Sequence, residues 1–198
     1  YFEETQTQTF EDGIVAEGRR GILRITQDGN PVGKGILGDS MPLRLYYAYG
    51  IRNSFGLDFD PITVILWDTE NGPHYGDEIN LVEPAFNSGW MKVQGVWKVN
   101  ETLLRKGVVE NHAEKLTLDF LGKGKYSAPE LTWKTLGVAV TSIAFFNSDR
   151  LGKEYENDLF IGEFHNHYIY HFNLNKDRTK LSLEGPIHEK VVDKKEEL

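Results

Sequence analysis

Apolar residues in this chain come in short runs and almost never at the three-to-four-residue spacing of a helix face. Gly, Asp, Asn and Pro cut the runs, which is how strands and tight turns alternate in sandwiches, barrels and propellers. The pattern predicts strands over residues 21–26, 55–59, 64–69, 78–82, 89–93, 115–120, 141–146, 158–163 and 168–174. Turns are expected at Asp28-Gly29-Asn30-Pro31, Asp60-Pro61, Asn71-Gly72-Pro73, Asn87-Ser88-Gly89 and Asn175-Lys176-Asp177. Gly95 and β-branched neighbours speak against a helix over 91–106. Two three-strand units echo one another. Phe55-Gly-Leu-Asp-Phe, Leu66-Trp-Asp-Thr-Glu and Glu78-Ile-Asn-Leu-Val form the first. Ser142-Ile-Ala-Phe-Phe, Leu159-Phe-Ile-Gly-Glu and Tyr168-Ile-Tyr-His-Phe form the second. Each unit would place its inner strand first and its outer strands later, as propeller blades do. The stretch 100–129 reads as a long polar connection or an irregular blade, and the mixed-charge tail 190–198 as a solvated segment.

The fold class expected is all-β, part of a six-bladed propeller with about three blades present. At roughly 40–50 residues per blade, 198 residues do not close a ring. The chain opens on Tyr1 rather than Met and ends without a closing element, so residues 1–198 are read as a fragment of one propeller domain. A formal charge of −8 disfavours a nucleic-acid partner. No apolar run approaches the roughly 18 residues of a membrane-spanning helix, and no signal peptide is visible. The absence of cysteine excludes disulfides, thiolate metal sites and cysteine nucleophiles. Asn100-Glu101-Thr102 is a glycosylation sequon of the kind that arises by chance.

Four places could carry chemistry. Arg52 and Asn53 sit between Gly50 and Gly56, and Arg offers a rigid donor fork for a carboxylate. Taken alone, the pair reads as a turn-capping Asn and a surface Arg in an ion pair. Asn71-Gly72-Pro73 is a tight turn whose backbone carbonyls suit calcium, or else an ordinary hairpin turn. Asp77 and Glu78 are adjacent in a strand and point to opposite faces, so they cannot act as one acid/base dyad. His165 and His167 flank a hairpin turn. A zinc pair lacks a third ligand at any recognisable spacing, which leaves a single loop-tip histidine as a ligand contact. His74 could touch a ligand by position, while His112, His171 and His188 read as strand-face or surface residues. Trp67, Trp90, Trp97 and Trp133 read as core residues. There is no phosphate-binding glycine loop, nucleophile elbow or HExxH motif.

These words fall in a familiar order. Gly50-Ile-Arg-Asn-Ser-Phe-Gly-Leu-Asp-Phe-Asp60 resembles the GxRNxxGLxFDP signature of the soluble, pyrroloquinoline quinone (PQQ)-dependent aldose dehydrogenases of the glucose/sorbosone type. Glu70-Asn-Gly-Pro-His-Tyr-Gly-Asp-Glu-Ile-Asn80 resembles their EHGPxGGDEIN, and Phe86-Asn-Ser-Gly-Trp90 the NYGWP that follows. Weaker similarity extends from Gly21 to Asp177. The resemblance implies a six-bladed β-propeller that binds PQQ with calcium and oxidises aldoses at the anomeric carbon to lactones, passing electrons to an external acceptor.

It also implies residue roles. Arg52 and Asn53 would contact the quinone's carboxylates and polar edge, and the carbonyls of Gly72 and Pro73 would hold calcium. Glu78, with a carbonyl near Ser88, matches a second, structural calcium site of some members. Residues 137–139 align with a cofactor-lining loop, and His165 with a position often occupied by Lys. The family's catalytic histidine belongs to an earlier blade, so no catalytic residue is assigned and the isolated chain is expected not to turn over sugar. Val64-Ile65 and Ala85 stand where the family commonly has glycine. Localisation is expected to be extracellular or periplasmic. The rival readings are a non-catalytic binding propeller of the same superfamily and a carbohydrate-binding or hydrolytic β-domain. The adjacency of Asp77 and Glu78 disfavours the latter.

Overall fold

The computed structural model describes residues 21–99, 119–120, 123–134 and 137–198. Among them there is no α-helix, only short 3-10 turns at Leu43–Leu45, Lys153–Tyr155, Gly185–Glu189 and Lys195–Glu197. None of these is long and apolar enough to cross a membrane. The first expected unit forms as written: β3 (Ser54–Phe59), β4 (Leu66–Glu70) and β5 (Asp77–Val82) run antiparallel in sequence order. Two strands that lack a readable pattern extend it, β10 (Leu131–Trp133) and β14 (Val191–Val192), giving the order β14-β10-β5-β4-β3. The second unit is the sheet β11 (Val140–Phe145), β12 (Leu159–Glu163) and β13 (Ile169–Phe172). Three two-stranded pieces complete the frame. They are β1 (Ile22–Leu23) with β2 (Tyr46–Ala48), β6 (Val93–Gln94) with β7 (Trp97–Lys98), and β8 (Asp119–Phe120) with β9 (Lys123–Lys125).

Every position of β4 is buried, because both faces of this central strand are covered. Trp67 and Thr69 face the second sheet. There Trp67 meets Phe145 edge-on, with 6.3 Å between ring centroids, in a core that includes Ile79, Leu131, Ile143, Leu159 and Ile161. Leu66, Asp68 and Glu70 face the other way, opposite Val82, Asn80 and Glu78 on β5. Leu66 and Val82 join Ile22, Ala48, Ile51 and Phe86 in a second cluster. Burying the larger of these side chains contributes roughly 1.5–3 kcal/mol each.

The two main sheets meet where β11 crosses β3 and β4, and three features fix that seam. Gly56 lets the backbones close up: a Cβ there would lie 2.9 Å from Thr69 Oγ1 and 3.0 Å from the Ile143 amide nitrogen. Asp58 accepts the Phe145 N–H at 2.7 Å. Farther out, Asp60 is fully buried and accepts from Arg178 Nε with both oxygens, at 2.9 and 2.8 Å, as well as from the Thr63 hydroxyl at 2.6 Å and the Ile62 amide at 3.2 Å. That ion pair ties the β3–β4 turn to the chain beyond β13.

Two expectations need correction. Residues 89–93 do not form a strand: Gly89 has φ +95°, and its carbonyl accepts from the amides of Lys92 and Val93, so the chain turns and pairs only from Val93. The tail is not merely a solvated segment, because Val191–Val192 pairs in parallel with β10 and Val192 is buried. The polar connection 100–129 contains the β8–β9 pair, and Tyr126 bridges to Asn87. Its residues 100–118, 121 and 122, with His112 and the sequon, lie outside the described residues.

At the two positions where the resemblance leads one to expect glycine, the backbone takes a conformation that glycine favours. Val64 has φ +59° and Ala85 φ +71°, the left-handed region that glycine occupies freely and a β-branched residue does not. Val64 is also 71% exposed, so little packing opposes its removal. Val64→Gly is therefore expected to stabilise the protein by about 1 kcal/mol, read as a rise in Tm. Gly56→Ala is expected to cost about 1–3 kcal/mol by overpacking the seam, in a denaturant titration.

Candidate functional site

A cleft of about 870 Å³ opens at one end of the seam between the two main sheets. Four loops build it: the one leading into β3 (Arg52, Asn53), the β4–β5 turn (Asn71 to His74), the segment entering β11 (Gly137, Ala139) and the β12–β13 turn (Phe164 to Asn166). The first two loops are zipped together. The Asn71 amide donates to the Asn53 carbonyl at 2.9 Å, and Arg52 Nη1 donates to the Asn71 carbonyl at 2.6 Å. The Arg52 backbone amide donates to Glu70 Oε1 at 2.5 Å, and its guanidinium lies 5.5 Å from the centroid of the Trp90 ring. Burial pulls the Arg52 guanidinium below its ordinary pKa, against the charges of Glu70 and Asp77. The cation is thus held in a fixed direction rather than swinging on the surface.

The β4–β5 turn needs glycine at Gly72, because a Cβ there would sit 1.8 Å from the Tyr75 carbonyl oxygen. Among the described residues, no N–H is bonded to the carbonyl of Gly72 or Pro73. Asp77 stands behind the turn. Its Oδ1 accepts the Gly72 N–H at 2.8 Å, and its Oδ2 accepts the Ala139 N–H at 2.7 Å. Burial raises the Asp77 carboxyl, while those two bonds and the charge of Arg52 pull it back. On the opposite wall, His165 Nδ1 lies 2.5 Å from the Gly137 carbonyl. That acceptor assigns the proton to Nδ1 and leaves Nε2 for a ligand. Glu163 shapes the turn that carries His165 by accepting the amides of Asn166 and Tyr168 at 2.9 and 3.0 Å.

Arg52, Asn53, Gly72, Pro73 and His165 therefore line one cleft, with His74 beside them. Glu78 does not. It points behind the sheet, where its oxygens accept from Asn80 Nδ2 (3.0 Å), Ser88 Oγ (2.9 Å), Gln94 Nε2 (2.9 Å) and the Gly95 amide (2.5 Å). His167 faces a separate groove along β13, and His171 is stacked on Phe160 and bonded to Asp158 at 2.8 Å. Trp67, Trp90, Trp97 and Trp133 are all buried. Phe55, Thr141 and Phe164 also line the cleft and carry no motif that marks them.

The model of the glucose/sorbosone dehydrogenase family matches residues 6–194. The chain belongs to that family. Among its relatives is the aldose sugar dehydrogenase YliI of Escherichia coli K12, 28% identical over 182 residues that cover 89% of this chain and 44% of the relative. Quinoprotein glucose dehydrogenase B of Acinetobacter calcoaceticus is 37% identical over 79 residues, 37% of this chain and 15% of that one. The crystal structure of soluble aldose sugar dehydrogenase from E. coli, in its apo form, superposes with a TM-score of 0.58 at 25% identity, covering 81% of this chain and 42% of that one. The PQQ-bound aldose sugar dehydrogenase of Streptomyces coelicolor shares the fold, with a TM-score of 0.53 at 22% identity over 83% of this chain and 37% of that one. The chain thus spans less than half the length of these family members.

Behind the cleft lies a buried acidic face. Burial, reinforced by Glu78 and Asp68, raises the Glu70 carboxyl well above its ordinary value. Burial pushes Asp68, whose oxygens meet no hydrogen-bond donor among the described residues, up to about 7, and pushes Glu78 up to about 8 against the bonds that favour its charged form. Each group keeps its proton in the fold where the unfolded chain has released it. The contribution is fully present below the unfolded carboxylate range, about pH 4, and is lost as pH rises through 7 to 8. Tm is expected to fall by about 5 °C or more between about pH 5 and about pH 9, with Asp68→Asn flattening the slope. A thermal melt series that is flat in both proteins would contradict this.

Proposed function

We propose that this chain forms part of the cofactor site of a six-bladed propeller that oxidises aldose sugars to lactones with PQQ and calcium. The observation that carries the proposal is the convergence of Arg52, Asn53, His165 and the Gly72-Pro73 turn on one cleft of about 870 Å³. The donor set fits the cofactor. A tricarboxylate needs fixed cations, and Arg52 is held in place by Asn71 and Trp90. Calcium needs hard oxygens, and the carbonyls of Gly72 and Pro73 are not taken up by the described backbone. Phe55 and Phe164, 55% and 64% exposed, supply apolar walls for a flat ring system.

When bound, the quinone with its calcium supplies an electrophilic acceptor for hydride from the sugar. This chain's residues bind and orient. Arg52 would place its positive charge beside a carboxylate, Asn53 would read the polar edge next to it, and His165 would offer Nε2 from the facing wall. Gly72 and Pro73 present the calcium ligands. A second calcium at Glu78 would have to displace donors among the four from which its oxygens accept in this fold. No residue of this chain is assigned the role of removing the sugar's hydroxyl proton. About three blades' worth of propeller, an aldose substrate, an external electron acceptor and an exported location belong to the same reading.

The test is a PQQ titration of the chain with calcium or with chelator, followed by tryptophan fluorescence, since Trp90 lies under Arg52. Calcium-dependent binding, weakened about tenfold or more by Arg52→Ala, is the expected result. Binding indifferent to calcium and to Arg52, or no binding at all, would overturn the proposal.

A further inference from the structure

We propose that Asp77 is the positioning residue of the cleft, a single buried carboxylate that holds two of its walls at a fixed separation. The inference rests on the quinone reading for the ligand alone. The strap itself is in the geometry. Asp77 is 1% exposed, and its two oxygens divide between its own turn and a loop whose Ala139 lies 62 residues farther along the chain. Oδ1 holds the Gly72 amide of the β4–β5 turn, and Oδ2 holds the Ala139 amide at the entry to β11. Ala139 has φ +57°, a conformation a non-glycine residue keeps only where its surroundings impose it. Gly137 permits the close approach, since a Cβ there would lie 3.3 and 3.4 Å from the carboxylate oxygens.

The strap reaches a third wall through that loop. The Ala139 carbonyl accepts the Phe164 amide at 3.0 Å, and the Val138 carbonyl accepts the His165 amide at 3.2 Å. The Gly137 carbonyl fixes the His165 ring. Moving residues 137–139 therefore moves Phe164 and His165, while moving Gly72 moves the proposed calcium ligands. Both partners of Asp77 are N–H donors, so both oxygens must accept, and an amide in its place would turn its own N–H toward one of them. Asp58 is a natural control. It makes the same kind of inter-sheet bond, to the Phe145 amide at 2.7 Å, but at the far end of β11 and outside the cleft.

The experiment compares Asp77→Asn with Asp58→Asn in the full chain. It reads thermal stability, amide hydrogen exchange at Gly72 and Ala139 without ligand, and the Kd for PQQ with calcium. Both variants are expected to lose stability to a similar degree. Only Asp77→Asn is expected to speed exchange at Gly72 or Ala139 and to raise the Kd, each by about tenfold. Unchanged exchange at both amides in Asp77→Asn, or an equal rise in Kd in Asp58→Asn, would overturn the proposal. If the wild-type chain binds no quinone, the quinone reading falls and the exchange arm alone decides the strap. If Asp77→Asn does not fold, Gly137→Ala carries the same readouts. It presses the loop off an intact carboxylate and is expected to speed exchange at Ala139, and unchanged exchange there would count against the strap.

Discussion

The approach of β11 to β3 and β4 is the contact on which the rest of the structure depends. It buries Trp67 against Phe145, encloses the larger apolar cluster, and brings the β4–β5 turn opposite the loop that enters β11. The cleft is the open end of this seam, so its shape follows from how closely the two sheets meet. That distance is set by a residue with no side chain, Gly56, and held by carboxylates that reach across to backbone amides. Packing supplies the energy, and the polar bonds supply the alignment.

The buried acids show the opposite balance. Asp68, Glu70 and Glu78 occupy a face that the β1–β2 piece and its neighbours close off from water. Burial of ionised carboxylates is costly, and these groups meet the cost by keeping protons at pH values where free carboxylates lose them. Glu70 still has a structural task, since its oxygen accepts the amide of Arg52 and so orients the residue that carries the cleft's cation. The acidic face therefore links core protonation to the position of a functional side chain.

The longer strands were legible because their apolar residues alternate or run together between clear turn residues, as in Phe55–Phe59 and Leu159–Glu163. β2, β7, β10 and β14 were not, because two or three residues carry too little pattern and their pairing depends on partners distant in sequence. Residues 89–93 looked like a strand because apolar content says nothing of the positive φ at Gly89. At the site, the motifs brought forward Arg52, Asn53, Gly72, Pro73 and His165, and the structure gathers them. Asp77 was legible only as one of two adjacent carboxylates on opposite faces. That parity holds, but its bonding partners are main-chain amides, one of them 62 residues away, and no side-chain pattern encodes them.

β11 is held near both ends, by Asp77 just before its first residue and by Asp58 at its last. Side chains alternate along a strand, so a slip of one residue would exchange buried Ile143 for exposed Ser142 and turn the whole inner face outward. With both anchors in place that slip is blocked, so the side chains that β11 turns toward the core and toward the cleft keep their identity.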